Sequence, residues 1–164
     1  MDIVTAIIGI AFVVACALPF LWLNSVKKKA EKKLLTSLID FAAEHNGIIS
    51  RSEILGNMAI GLDEQANKVF FCKKSGAEET SQKVELAAIK TCEVIKMGRT
   101  FNDKEGPRTV IEKLELSFVP TAEKEPTIAI EFYDAHKNVQ LNGELQLVEK
   151  WANWLNERLK QTKG

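Results

Sequence analysis

The sequence predicts an α+β chain: one N-terminal transmembrane helix continuing into a cytoplasmic helix, then an antiparallel β-sandwich or barrel capped by a C-terminal helix. Three observations carry this expectation. Ile3 to Leu23 are 21 consecutive residues without a charge, followed at once by Lys27, Lys28, Lys29, Lys32 and Lys33. After Gly47 the apolar residues alternate instead of recurring every three or four positions, as in a half-buried strand. After Asn142-Gly143 the helical period returns and holds to Leu159. The domains expected are an anchor over 1–24, a basic amphipathic connecting helix over 25–46 and one folded domain over 47–164.

As a helix the uncharged run spans about 31 Å, close to the hydrocarbon thickness of a bilayer, so it crosses once. Its twelve Ile, Val, Leu and Phe residues favour insertion by roughly −4 to −7 kcal/mol as an upper bound. Thr5, Gly9 and Pro19 subtract from this, but no ionised side chain reverses the sign. A cleaved signal peptide is disfavoured because Asp2, not a basic residue, precedes a long apolar segment. Val13-Val14-Ala15-Cys16 resembles a lipidation box, yet the residues after Cys16 stay apolar where a polar tether would begin. The lysines set the orientation: N-terminus outside, C-terminal domain cytoplasmic, at a cell membrane. They also make the expected contact with lipid headgroups.

From Ser25 to His45 there is no Gly or Pro, and Leu34, Leu38, Phe41 and Ala42 form one apolar stripe. That stripe either packs on the following domain or meets the same helix of a second copy, which would make a homo-oligomer. Asn46-Gly47 supplies the left-handed conformation that ends helices, and His45 is read as a cap or surface residue.

Met58, Ile60 and Leu62 alternate before the turn Asp63–Asn67, and Lys68 to Lys74 return as the second strand of a hairpin. Further strands are expected at 84–86, 92–96, 111–119 and 128–132, with loops around 78–81, 102–107 and 120–126. Leu145, Val148, Trp151, Ala152, Leu155 and Leu159 then mark a long helix with Asn142 as its N-cap, its tryptophans sealing one open end of a bent sheet. This order, carried by residues 58–63, 69–71, 84–86 with Ile89 and Val94, 114–118, 128–132 and 151–155, resembles the pleckstrin-homology-like fold in its bacterial versions. The resemblance covers about residues 57 to 160. Members of that family that bind phosphoinositides place basic residues around the first hairpin; Asp63-Glu64-Gln65-Ala66-Asn67 does not match, so no binding residue is carried over.

Residues 51–164 hold 17 basic and 18 acidic side chains, which gives no electrostatic footprint for nucleic acid. Cys72 and Cys92 read as reduced strand residues, and no CxxC or Cys/His cluster offers a metal site. With His45 and His136 the only histidines, and neither a P-loop nor a GxGxxG, no enzyme and no cofactor is expected. Asp134, His136 and Lys137 share one turn and read as solvated. The function expected is a membrane-anchored, non-catalytic interaction or scaffolding module with a protein partner, which an exposed sheet edge could bind by strand addition. The alternatives are a lipid or small-ligand sensor and a small accessory subunit of a membrane assembly.

Overall fold

The computed structural model describes residues 27–103, 106–138 and 140–163. The expected anchor over 1–24 lies outside the described residues; among those described, no helix is long and apolar enough to cross a membrane. The described residues form an α+β arrangement, with two α-helices and two antiparallel sheets. Helix α1 covers residues 27–44. The first sheet follows in simple meander order: β1 (Arg51–Leu55), β2 (Met58–Asp63), β3 (Lys68–Ser75) and β4 (Glu78–Glu85). A short 3-10 turn, Leu86–Ala88, leads to the second sheet of β5 (Ile89–Asp103), β6 (Gly106–Pro120) and β7 (Ile128–Asp134), and helix α2 (Glu144–Lys163) closes the domain.

Two connections are two-residue hairpins with glycine in the left-handed region at the first loop position, Gly56 at φ 58° and Gly76 at φ 63°. Such loops make their flanking residues a hydrogen-bonded pair and so fix the register along each ribbon. Leu55, Glu53 and Arg51 therefore bond to β2, leaving the backbone groups of Ser52 and Ile54 to point away from the sheet.

All six residues of β2 are buried, because both faces of the first sheet are covered. On the inner face Met58, Ile60, Leu62, Val69 and Phe71 join the core formed with the second sheet and α2, and Phe71 meets Phe132 across the sheets at 5.3 Å between ring centroids. On the outer face Leu34, Leu38 and Ala42 of α1 pack against Ala59, Phe70 and Cys72, with Phe41 edge-on to Phe70. This close seating needs small residues. A Cβ at Gly61 would stand 3.0 Å from both Leu38 and Ile49, and one at Gly47 only 2.6 Å from the Phe70 ring.

Asp63, 3 % exposed, ties α1 to the sheet through the loop that follows the helix. Its carboxylate accepts the backbone N–H of Ile48 at 2.7 Å and those of Gln65 and Ala66 in the β2–β3 turn. Burial opposes its charge, but the three backbone donors and the nearby Lys68 hold the carboxyl below its ordinary range. A second polar tie joins the sheets, where the nearly buried Lys73 ammonium reaches Glu131 at 3.2 Å. Burial works against Glu131 as well, yet Lys137 and Lys73 outweigh it and lower its pKa.

Four elements differ from the sequence expectation, the first being the loop expected at 102–107, where residues 102–103 end β5 and 106–107 begin β6. Arg51–Leu55 is a strand that the sequence did not announce, since a short edge strand with two charged side chains on its inner face lacks a clean alternating pattern. Residues 78–81, expected as a loop, belong to β4, where pairing with β3 overrides a polar sequence. The first helical acceptor of α2 is the carbonyl of Gly143, bonded by the Leu147 N–H, so Gly143 and not Asn142 is the N-cap. Strands β5 and β6 also outrun β7, forming a two-stranded ribbon that leaves Met97, Phe101 and Val110 about half exposed.

Leu38→Ala should cost about 2–5 kcal/mol by leaving a cavity under α1, whereas Ile39→Ala, at a 47 % exposed neighbour, should change stability by no more than about 0.5 kcal/mol; urea denaturation followed by tryptophan fluorescence separates the two. The lowered Asp63 pKa fixes the sign of an acid effect. Its contribution is fully present above the unfolded value near 3.9 and is lost as pH falls through the lower folded value. Asp63→Asn should thus destabilise the protein at pH 7 and flatten that part of the acid limb, read from melting temperature against pH.

Candidate functional site

Helix α2 lies in the corner between the two sheets, where the free edges of β1 and β5 face it. Its contacts treat the two edges differently. The side-chain amide of Asn156 accepts the Cys92 N–H at 2.8 Å and donates to the Cys92 carbonyl at 2.7 Å, completing the pair that a neighbouring strand would supply. Thr91 Oγ1 holds the same amide oxygen, and Lys96 bridges to Glu149 further along. A strand laid on β5 would have to displace all of these groups. Edge β7 is likewise occupied, its Ala129 and Glu131 carbonyls accepting Gln82 Nε2 and Lys73 Nζ.

Edge β1 is held by its side chains alone. Arg51, Glu53 and Leu55 all turn towards α2. The guanidinium of Arg51 lies 4.5 Å from the centre of the Trp154 ring, which itself meets Trp151 edge-on. Glu53 accepts the Trp151 indole N–H at 2.7 Å and pairs with Lys150. Trp151 is thereby buried with its one polar atom satisfied. The outward N–H and C=O groups of Ser52 and Ile54 have no hydrogen-bond partner among the described residues. Two hollows flank the Glu53–Lys150 pair along this edge. One of about 250 Å³ is lined by Arg51, Ser52 and Trp154, and one of about 270 Å³ by Ile54, Leu55, Gly143 and Leu147.

Edge β4 also has outward groups without a strand partner among the described residues, but Glu78, Glu79, Thr80 and Ser81 give it four exposed polar side chains in a row, and the hollow beside Glu79 is shared with the charged Lys33 and Lys74. Charged, solvated edges of that kind resist strand addition. Edge β1 combines unpaired backbone groups with a partly apolar groove, and is the candidate site.

The residues singled out from sequence fall elsewhere. Lys27, Lys28, Lys29, Lys32 and Lys33 are all exposed on the first half of α1. Leu34 and Leu38, at 5 % and 0 % exposure, and the half-buried Phe41 are engaged with the first sheet. Of the two arrangements open to that stripe, packing on the domain is the one present. His45 Nδ1 bonds the Phe41 carbonyl at 2.9 Å, as a helix-end residue. Asp134 accepts the His136 N–H in the turn after β7, and that bond, with the Lys137 charge, lowers its pKa. Burial raises the Cys92 thiol to about 12, so its thiolate is negligible at neutral pH, and burial raises Cys72 too. Among the described residues no group of His, Cys, Asp or Glu is placed to hold a metal ion.

Sequence reasoning missed Arg51, Ser52, Glu53 and Asn156. The available signal was Arg51-x-Glu53-x-Leu55 on one strand face opposite Lys150, Trp151 and Trp154 on one helix face. No protein-family model, curated protein or solved structure matches the chain.

Asn156→Ala leaves two Cys92 backbone groups without partners and should cost about 1–3 kcal/mol, measured by thermal denaturation. Asn156→Asp can still accept from the Cys92 N–H but cannot donate to its carbonyl, so it should not restore stability.

Proposed function

We propose that this protein is a membrane-anchored, non-catalytic interaction module whose domain receives an extended segment of a partner protein along β1. The observation that supports it is the contrast between edges: Asn156 completes β5, while Ser52 and Ile54 present unpaired backbone groups beside a groove. Main-chain hydrogen bonds would supply affinity and the groove would supply selectivity. The arrangement of four and three antiparallel strands with a closing C-terminal helix supports placing the domain among pleckstrin-homology-like folds. The space between sheet and α2, where a small-ligand sensor would hold its ligand, contains the buried Val148, Trp151, Leu155 and Leu159.

On this reading residues 3–23 cross the membrane and the five lysines keep the domain on the cytoplasmic side. Because α1 is seated on the first sheet, no loose tether intervenes between Lys27 and the domain. The partner would therefore be recruited close to the bilayer and in a fixed orientation.

Proline at an edge strand removes one outward donor without touching the ladder to its neighbour. Full-length Ser52→Pro should lose at least about tenfold of partner recovered from native membranes, the effect of removing an interfacial hydrogen bond and adding a steric block. Ser81→Pro, which makes the same change on β4, should leave recovery unchanged. Retained capture by Ser52→Pro, or loss with Ser81→Pro, contradicts the proposal.

A further inference from the structure

We propose that the segment received by β1 is acidic, with an aliphatic residue followed four positions later by Asp or Glu. This rests on strand addition at β1 and names the chemistry that the groove selects. Residues directly opposite each other across an antiparallel pair share a face, so the side chains that an added strand directs at α2 stand opposite Arg51, Glu53 and Leu55, and those at the two ends are four residues apart, about 13 Å along the strand. The two hollows lie on that face, either side of the Glu53–Lys150 pair.

The hollow at the Leu55 end is lined by Leu55 and Leu147 with Gly143, Gln146 and Lys150, and its apolar part suits a branched aliphatic side chain. The hollow at the Arg51 end is different. Arg51 stacks on Trp154 and has no carboxylate partner among the described residues. A contact to the ring face uses none of the guanidinium N–H donors in a hydrogen bond to an oxygen, and the guanidinium fork can receive a carboxylate through two parallel bonds. The one acidic group in the groove, Glu53, is already engaged by Lys150 and the Trp151 indole, so Arg51 leaves the site with one uncompensated positive charge.

Direction follows from the sheet. Every pairing in the two sheets is antiparallel, and antiparallel addition to β1 puts the N-terminal part of the incoming segment at Leu55 and its C-terminal part at Arg51. The order along the partner is thus aliphatic, three residues of any kind, acidic.

The test uses the full-length protein in phosphatidylcholine nanodiscs and three fluorescent nonapeptides that share a threonine-rich frame and carry Leu-Thr-Thr-Thr-Glu, Leu-Thr-Thr-Thr-Gln or Leu-Thr-Thr-Thr-Lys at the centre. Anisotropy should show the Glu peptide binding roughly ten- to a hundred-fold tighter than the Gln peptide, as for a hydrogen bond to a charged group, with the Lys peptide weakest. Arg51→Met should collapse the Glu/Gln difference with the melting temperature kept, and Arg51→Glu should reverse the order of Glu and Lys. Equal binding of Glu and Gln peptides, still abolished by Ser52→Pro, overturns the acidic preference while strand addition stands. Binding that survives Ser52→Pro overturns both, and no binding by any peptide at millimolar concentration overturns the preference for this motif.

Discussion

Two twisted sheets packed face to face leave a corner that strands do not fill, and in this chain the availability of a binding edge depends on how α2 fills it. The helix brings Val148, Trp151, Leu155 and Leu159 into the core. Covering that corner brings α2 within reach of two unpaired strand edges at once. Asn156 gives β5 the donor and acceptor of an absent strand. On the other side the helix reaches only the side chains of β1, through Glu53 and Arg51, and the backbone of Ser52 and Ile54 stays unpaired. An unpaired edge is a liability that proteins usually shorten, charge or cover. Here it is short, at five residues, and it opens onto a groove.

The same sheet carries a second dependency on its outer face. Ala59 and Gly61 alternate with Met58, Ile60 and Leu62, so β2 presents large side chains to the core and small ones to α1. Leu38 can then approach the backbone closely, and Asp63 secures the loop after the helix by collecting its first available N–H at Ile48. Packing of this kind makes α1 part of the domain and not a linker. Any force or orientation imposed at Lys27 passes through α1 into the first sheet. For a module proposed to stand at a membrane, that coupling determines which way the β1 groove faces.

What could be read from sequence divides along physical lines. The periodicity of 58–62 and of 145–159 reports burial against a core, and both elements are where the pattern puts them. The stripe Leu34, Leu38 and Phe41 was legible as apolar, but its partner was not, because period alone does not distinguish a sheet from another helix. Strand β1 escaped because Arg51 and Glu53 are charged residues turned towards α2, each contacting a residue about a hundred positions away. Asn156 escaped for the same reason: on a helical wheel it is one more polar residue, and its role exists only once Cys92 lies opposite. The site was therefore invisible locally, being made of long-range pairings between groups that are ordinary by themselves.

Amide hydrogen exchange of the purified full-length protein tests the central claim most directly, since it reads each edge residue by residue. The account predicts that the Ser52 and Ile54 amides exchange like solvent-exposed groups, while those of Glu53, Leu55 and Cys92 are protected. Protection at Ser52 and Ile54 in the free protein, or rapid exchange at Cys92, would contradict it, because β1 would then be covered or β5 would be the open edge.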